Sequence, residues 1–181
     1  MRRDLLISGL LSLAMLVIFG MAAGEAKAQS IRYLAFDAKD RTTQALTRGV
    51  TLEVERGMFG AVAVRNLFST SSRGSASFRS GGPDGVRRAL PDGARESRLY
   101  EIVQEGDGRG LVRALCPGSS QAWIVVGRVR VARPLTLQAV GVWPDGQYRH
   151  CVQLNYDYRG EWALPPGSGG LSDGDLPTGP R

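Results

Sequence analysis

The sequence is poor in histidine and cysteine, with one His and two Cys among 181 residues. His150 is therefore the only general base available to a serine or cysteine hydrolase, and a zinc site with several histidine ligands is excluded. The adjacent Cys151 points to the opposite face of the predicted strand, so the two side chains do not form a nucleophile–base pair. We interpret His150 as a partly buried structural residue and predict no catalytic residue, metal or other cofactor.

Long apolar runs are also scarce, and the only extended one lies at the N-terminus. Residues 5–24 are largely apolar, follow a short basic start and lead to the small residues Ala26 and Ala28. This pattern predicts a helical signal peptide over residues 1–28. The alternative is an uncleaved anchor, because the run approaches the ~20 residues that span a bilayer. Either outcome predicts a periplasmic or secreted domain.

Acidic residues are outnumbered by basic ones, which gives the chain a formal net charge of +6. Lys39 is the only lysine beyond the predicted signal, so the excess is carried by arginine. A basic surface suits an anionic partner. We expect no nucleic acid, because the chain is predicted to leave the cytoplasm.

The two cysteines, Cys116 and Cys151, form an even set in a chain predicted to enter an oxidising compartment. Such a set favours a disulfide bond, and two unpaired thiols are the alternative. The predicted alternation of strand 147–158 puts Cys151 on its more polar side. We therefore expect the bond outside the main core or near a sheet edge.

Alternating apolar residues dominate the rest of the chain and predict an all-β fold. Residues 49–55 alternate most cleanly, and the stretches 121–132 and 134–158 are the expected central strands. A further strand is predicted over 110–116, after a hairpin turn at Asp107-Gly108. About eight or nine mostly antiparallel strands, spanning residues 29–164, predict a single β-sandwich or open barrel.

Turn-forming residues set two segments apart from the strands. Residues 69–97 predict a long flexible loop, or alternatively a short edge strand near Phe78. Trp162 and Leu164 are expected to close the domain. Residues 165–181, rich in Pro and Gly, predict a disordered C-terminal tail.

Arginines supply the one candidate binding surface. Arg128, Arg130 and Arg133 are predicted to alternate outward along one strand, and Arg149 joins them if the two strands are neighbours. Such a sheet face suits an anionic envelope polymer or an acidic protein partner. The alternative is a solvated strand face whose charges discourage edge pairing.

These patterns predict an exported, non-enzymatic binding or structural β-module. One alternative is a small exported hydrolase that uses carboxylates such as Glu53, Glu55 or Glu101. For Glu53 and Glu55 we favour a solvated outer strand face over catalysis. The other alternative is a membrane-tethered subunit of an envelope assembly, which requires the N-terminal segment to stay uncleaved.

Overall fold

The structure, a computed structural model, describes residues 30–57, 62–71, 74–94 and 98–163. The predicted signal peptide and the predicted C-terminal tail lie outside these ranges. Eight antiparallel strands form a closed barrel in which each strand pairs with the next and β8 pairs with β1. The strands are β1 (Ser30–Ala38), β2 (Gly49–Arg56), β3 (Val62–Ser69), β4 (Ser75–Ser80), β5 (Arg98–Ile102), β6 (Gln121–Val126), β7 (Leu135–Val142) and β8 (Tyr148–Ala163).

The all-β prediction is confirmed, and of the two architectures left open the structure shows a barrel, which is closed. Val50, Leu52 and Val54 of β2 point inward with the expected period of two, because successive strand residues face opposite sides of a sheet. β6 is buried on both faces. Apolar side chains from all eight strands fill the interior, with Tyr100 and Tyr156 among the largest.

Strand β8 closes the barrel because it is long enough to pair with two neighbouring strands. It spans 16 residues; its first half pairs with β7 and its second half with β1. The register shifts within the β1–β8, β2–β3 and β7–β8 pairs. Such β-bulges bend and twist strands, which helps a sheet to curl. Closure gives each of the eight described strands a hydrogen-bonded neighbour on both sides, so none of them is an edge strand along its whole length.

Helix α1 (Arg41–Leu46) connects β1 to β2. The Asp40 carboxylate caps it by accepting a hydrogen bond of 2.8 Å from the Thr43 backbone N–H. Below the helix, the hydroxyls of Thr47 and Tyr156 lie 2.9 Å apart in the buried core. Burial raises the pKa of Tyr156. The helix is thus fixed to the barrel by polar contacts.

Helix α3 (Gly108–Leu115) replaces the strand predicted over 110–116, so that prediction is wrong. Leu111, Val112 and Leu115 are all buried against the barrel interior. Their spacing of one and four residues matches one face of a helix. Taken alone, Leu111 and Leu115 also fit the period of a strand, which explains the error. The Asp107-Gly108 step begins a helix rather than a hairpin.

Residues 69–97 contain more structure than a flexible loop. The alternative prediction of a strand near Phe78 is confirmed by β4, although β4 pairs on both sides and is not an edge strand. Helix α2 (Asp84–Arg88) follows. Val86 of this helix and Leu90 just after it pack against the outside of the barrel, in a second apolar cluster with Trp123 and Val140.

The disulfide bond Cys116–Cys151 is present, with the two Cα atoms 5.3 Å apart. Cys116 is fully buried in the interior cluster and Cys151 packs against it, so the predicted position outside the core is wrong. The bulge at residues 150–152 of β8 breaks the simple alternation and explains the error. Gly141 leaves space there, because a Cβ at this position would lie 3.1 Å from the Cys116 Cβ.

Candidate functional site

Three of the four predicted binding arginines lie in one connection between strands. Arg128, Arg130 and Arg133 belong to residues 127–134, here called the basic loop, which joins β6 to β7. The prediction that they alternate along a strand is wrong, because β6 ends at Val126. Ala132 adopts φ 57°, a left-handed conformation that does not fit a continuous strand.

The arginines of the basic loop are exposed and have no internal partner. Within the described part of the chain, none of the three makes a hydrogen bond or an ion pair. Val131, between two of them, is 44 % exposed. The loop therefore presents three guanidinium groups and an apolar side chain to solvent, and each guanidinium carries five N–H donors.

Arg149 does not belong to this group. It lies beside Gly141 at the far end of β7, whereas the basic loop precedes the first residue of that strand. The Arg149 guanidinium contacts the Asp145 carboxylate and lies 5.1 Å from the Trp143 ring centre. Its charge is already paired with that of Asp145, so the predicted surface of four arginines is reduced to the three arginines of the basic loop.

His150 lies on the outer face of β8 and its side chain is more exposed than the partly buried position that was expected. Its Nε2 lies 2.6 Å from Oε1 of Gln138, a buried amide that in turn donates to Gln153 at 2.7 Å. Partial burial lowers the pKa of His150. Cys151 is held in the disulfide bond. The one hydrogen-bond partner of the His150 ring among the described residues is thus the amide of Gln138, which fits a structural role.

Glu53 and Glu55 share a cleft of about 510 Å³ on the outside of the barrel. Glu55 is only 8 % exposed and accepts a hydrogen bond of 2.5 Å from Arg65 Nε. Asn66 Nδ2 donates to the Glu53 carboxylate at 2.9 Å. The expected solvated face is therefore wrong for Glu55, and both carboxylates already have partners.

Glu101 does not join the other two carboxylates. It lies on β5, where its carboxylate accepts a hydrogen bond of 2.7 Å from Gln121 and faces Arg79 at 3.4 Å. Among the residues described, no group of three His, Cys, Asp or Glu side chains is placed to hold a metal ion. The same part of the chain contains no helix that is both long enough and apolar enough to cross a membrane.

An aromatic surface on the outside of the barrel was missed by the sequence analysis. Tyr33 of β1 lies between Trp162 of β8 and Phe68 of β3, with ring centres 6.2 and 6.4 Å apart. Trp162 is 50 % exposed and lies opposite Tyr33 in the strand pairing that closes the barrel. Leu164, which was predicted to close the domain together with Trp162, lies outside the described residues. Burial raises the pKa of Tyr33, with a further contribution from the neighbouring Glu53 charge.

These three aromatic residues are far apart in the sequence. Trp162 meets Tyr33 because β1 pairs with β8, and Phe68 of β3 reaches Tyr33 across β2. A weak signal existed, since Tyr33 occupies an outward position between inward-facing residues of β1. It becomes informative only once the strand order is known. We call Tyr33, Phe68 and Trp162 the aromatic patch.

Comparison with known proteins identifies no relative. No family model matches the chain, and neither the curated proteins nor the solved structures contain a match.

Proposed function

We propose that the protein is an exported, non-enzymatic binding module whose basic loop contacts an anionic polymer of the cell envelope. The observation that carries this proposal is the basic loop itself, where three exposed arginines have no partner among the described residues. Guanidinium groups bind carboxylate and phosphate through two parallel hydrogen bonds. A protruding loop can place several of them along a flexible, repeating anion.

The disulfide bond supports the exported location. Disulfides persist in oxidising compartments and are rare in the cytoplasm. In this bond Cys116 is fully buried and Cys151 is partly buried against the interior cluster. The proposed signal peptide over residues 1–28 lies outside the described residues and rests on its sequence pattern alone.

A carboxylate-dependent hydrolase has one observation in its favour, because Glu53 and Glu55 line the same cleft. Glycosidases use two carboxyl groups in different roles, one of them as a general acid that carries a proton. Here Arg65 neutralises Glu55, and Asn66 donates to Glu53. Both contacts suit fixed carboxylates in a binding surface, so we favour the non-enzymatic function.

A matched pair of charge reversals tests the basic loop. Arg130→Glu and Arg149→Glu change the net charge by the same amount at opposite ends of β7. Against polygalacturonate, a soluble anionic polysaccharide, we expect Arg130→Glu to weaken binding about fivefold or more at low salt, the equivalent of losing ~1 kcal/mol. Arg149→Glu should bind like the wild type. Isothermal titration calorimetry measures both affinities.

Two results would count against this function. Equal weakening by both variants would show a response to net charge rather than to the basic loop. Absence of binding by the wild-type protein at low salt would remove the polymer as a partner.

A further inference from the structure

The cleft that holds Glu53 and Glu55 lies at a discontinuity of the barrel. β3 pairs with β4 over only three residue pairs, from Asn66 to Phe68. The backbone of the first half of β3 bonds instead to side chains of β5. The Tyr100 hydroxyl accepts a hydrogen bond of 3.1 Å from the Val64 N–H, and the Arg98 guanidinium contacts the Val62 carbonyl. The sheet surface is therefore indented there.

A second, smaller cleft extends this indentation. It has a volume of about 220 Å³ and shares Asn66 and Ser77 with the larger cleft of about 510 Å³. Phe68, Glu105 and Asp107 line its far side. Together the two clefts form a shallow, open groove on the outside of the barrel.

The aromatic patch borders this groove. Tyr33 lies opposite Glu53 in the β1–β2 pairing, and Phe68 lines the smaller cleft. The rings of Tyr33 and Trp162 are within 15° of parallel. Exposed aromatic rings of this kind offer flat apolar surfaces, against which the C–H faces of a pyranose ring can stack.

The polar groups of the groove suit hydroxyl groups. Glu53 and Glu55 accept hydrogen bonds, Arg65 and Asn66 donate them, and Ser77 does both. The Glu55–Arg65 and Glu53–Asn66 contacts use only part of this capacity, so carboxylate lone pairs and N–H groups remain for a ligand. A sugar hydroxyl also donates and accepts. The carboxylates Glu53, Glu55, Glu105 and Asp107 outnumber the one guanidinium among these lining residues, which disfavours an anionic ligand.

We infer that this groove and the aromatic patch together bind a neutral oligosaccharide. The aromatic rings would hold the apolar faces of successive sugar units, and the groove would bind their hydroxyls. The site is separate from the basic loop in residues and in charge. The inference therefore goes beyond the proposed function and does not depend on it.

Isothermal titration calorimetry with two neutral probes tests the inference: a β-linked glucose hexamer and a β-linked N-acetylglucosamine hexamer. We expect at least one probe to bind the wild type. Trp162→Ala and Asn66→Ala should each weaken that binding about tenfold, which corresponds to ~1.4 kcal/mol. Arg130→Glu should leave it unchanged. Thermal unfolding of each variant checks that the fold is retained.

The possible results separate this inference from the proposed function. If neither hexamer binds the folded wild type, or if Trp162→Ala binds as tightly as the wild type, the inference is wrong whatever the basic loop does. If the aromatic patch mediates self-association, Trp162→Ala will abolish a dimer seen by sedimentation, sugar will not affect that dimer, and the inference fails. Cleavage of a bound hexamer would support the site and overturn the non-enzymatic function.

Discussion

Two outward-facing surfaces of the same barrel differ in whether the chain covers them. On β5, β6 and β7, the chain covers its own apolar side chains with α2 and the residues after it, and Trp123 is only 6 % exposed. On β8, β1 and β3, the aromatic patch is open and Trp162 is 50 % exposed. We call these the covered face and the open face.

The covered face shows how closely this chain can pack against its outer surface. A Cβ at Gly82 would lie 2.8 Å from the Trp123 ring, and one at Gly85 would collide with Tyr148. Glycine at these two positions lets the α2 segment approach the sheet. No such cover lies over Trp162 among the described residues, which is why we assign the open face to a ligand.

The largest expected effect is the cost of removing a tryptophan from the covered face. Trp123→Ala should lower the free energy of unfolding by about 3–5 kcal/mol, because it leaves a cavity beneath α2. Trp162→Ala should cost about 1 kcal/mol, mainly through the lost aromatic pair with Tyr33. Urea denaturation followed by circular dichroism measures both values. Similar losses in the two variants would contradict the distinction between the faces.

Part of the covered face could be predicted from the sequence, since the stretch 121–132 was expected to form a central strand and β6 occupies its first half. The cover could not be predicted, because α2 lies within residues 69–97, which were expected to form a flexible loop. The open face could not be predicted, because Phe68 meets Tyr33 only through the register of β1, β2 and β3, and Trp162 only through closure of the barrel. The basic loop was assigned to a strand because alternating Arg and Val residues continue the period of β6.

The disulfide bond illustrates the same limit. Its two cysteines could be paired from their number and the predicted export. Its position in the core could not, because the bulge in β8 that turns Cys151 inward depends on the register with β7. A bulge leaves little signal in a single sequence.

The next largest effect comes from this bond, which closes a loop with a sequence separation of 35 residues. Replacing both Cys116 and Cys151 with Ala should lower the free energy of unfolding by roughly 3–4 kcal/mol. The bond lies at one end of the barrel, so the difference between Trp123→Ala and Trp162→Ala should persist in that background. Urea titrations of the combined variants would show this; a difference that vanishes would mean that the two faces are not independent.

The smallest effect concerns pH and His150, whose pKa is lowered by partial burial. Between that lowered value and the unfolded value of about 6.5, the unfolded state binds more protons. The free energy of unfolding should therefore reach its full value above this window and fall slightly as the pH drops through it. His150→Gln should remove that dependence. NMR titration of the imidazole, together with unfolding at several pH values, would check the direction; a pKa above about 6.5 would contradict it.

The most direct test of the open face uses 5-fluorotryptophan labelling and ¹⁹F NMR, with the resonances assigned through Trp→Phe variants. Transfer from H₂O to D₂O should shift the Trp162 resonance and leave that of Trp123 in place. Addition of the neutral hexamer that binds should then move the Trp162 resonance and reduce its solvent shift. A Trp162 resonance that is insensitive to both solvent and sugar would contradict the inference that this face is exposed and binds a ligand.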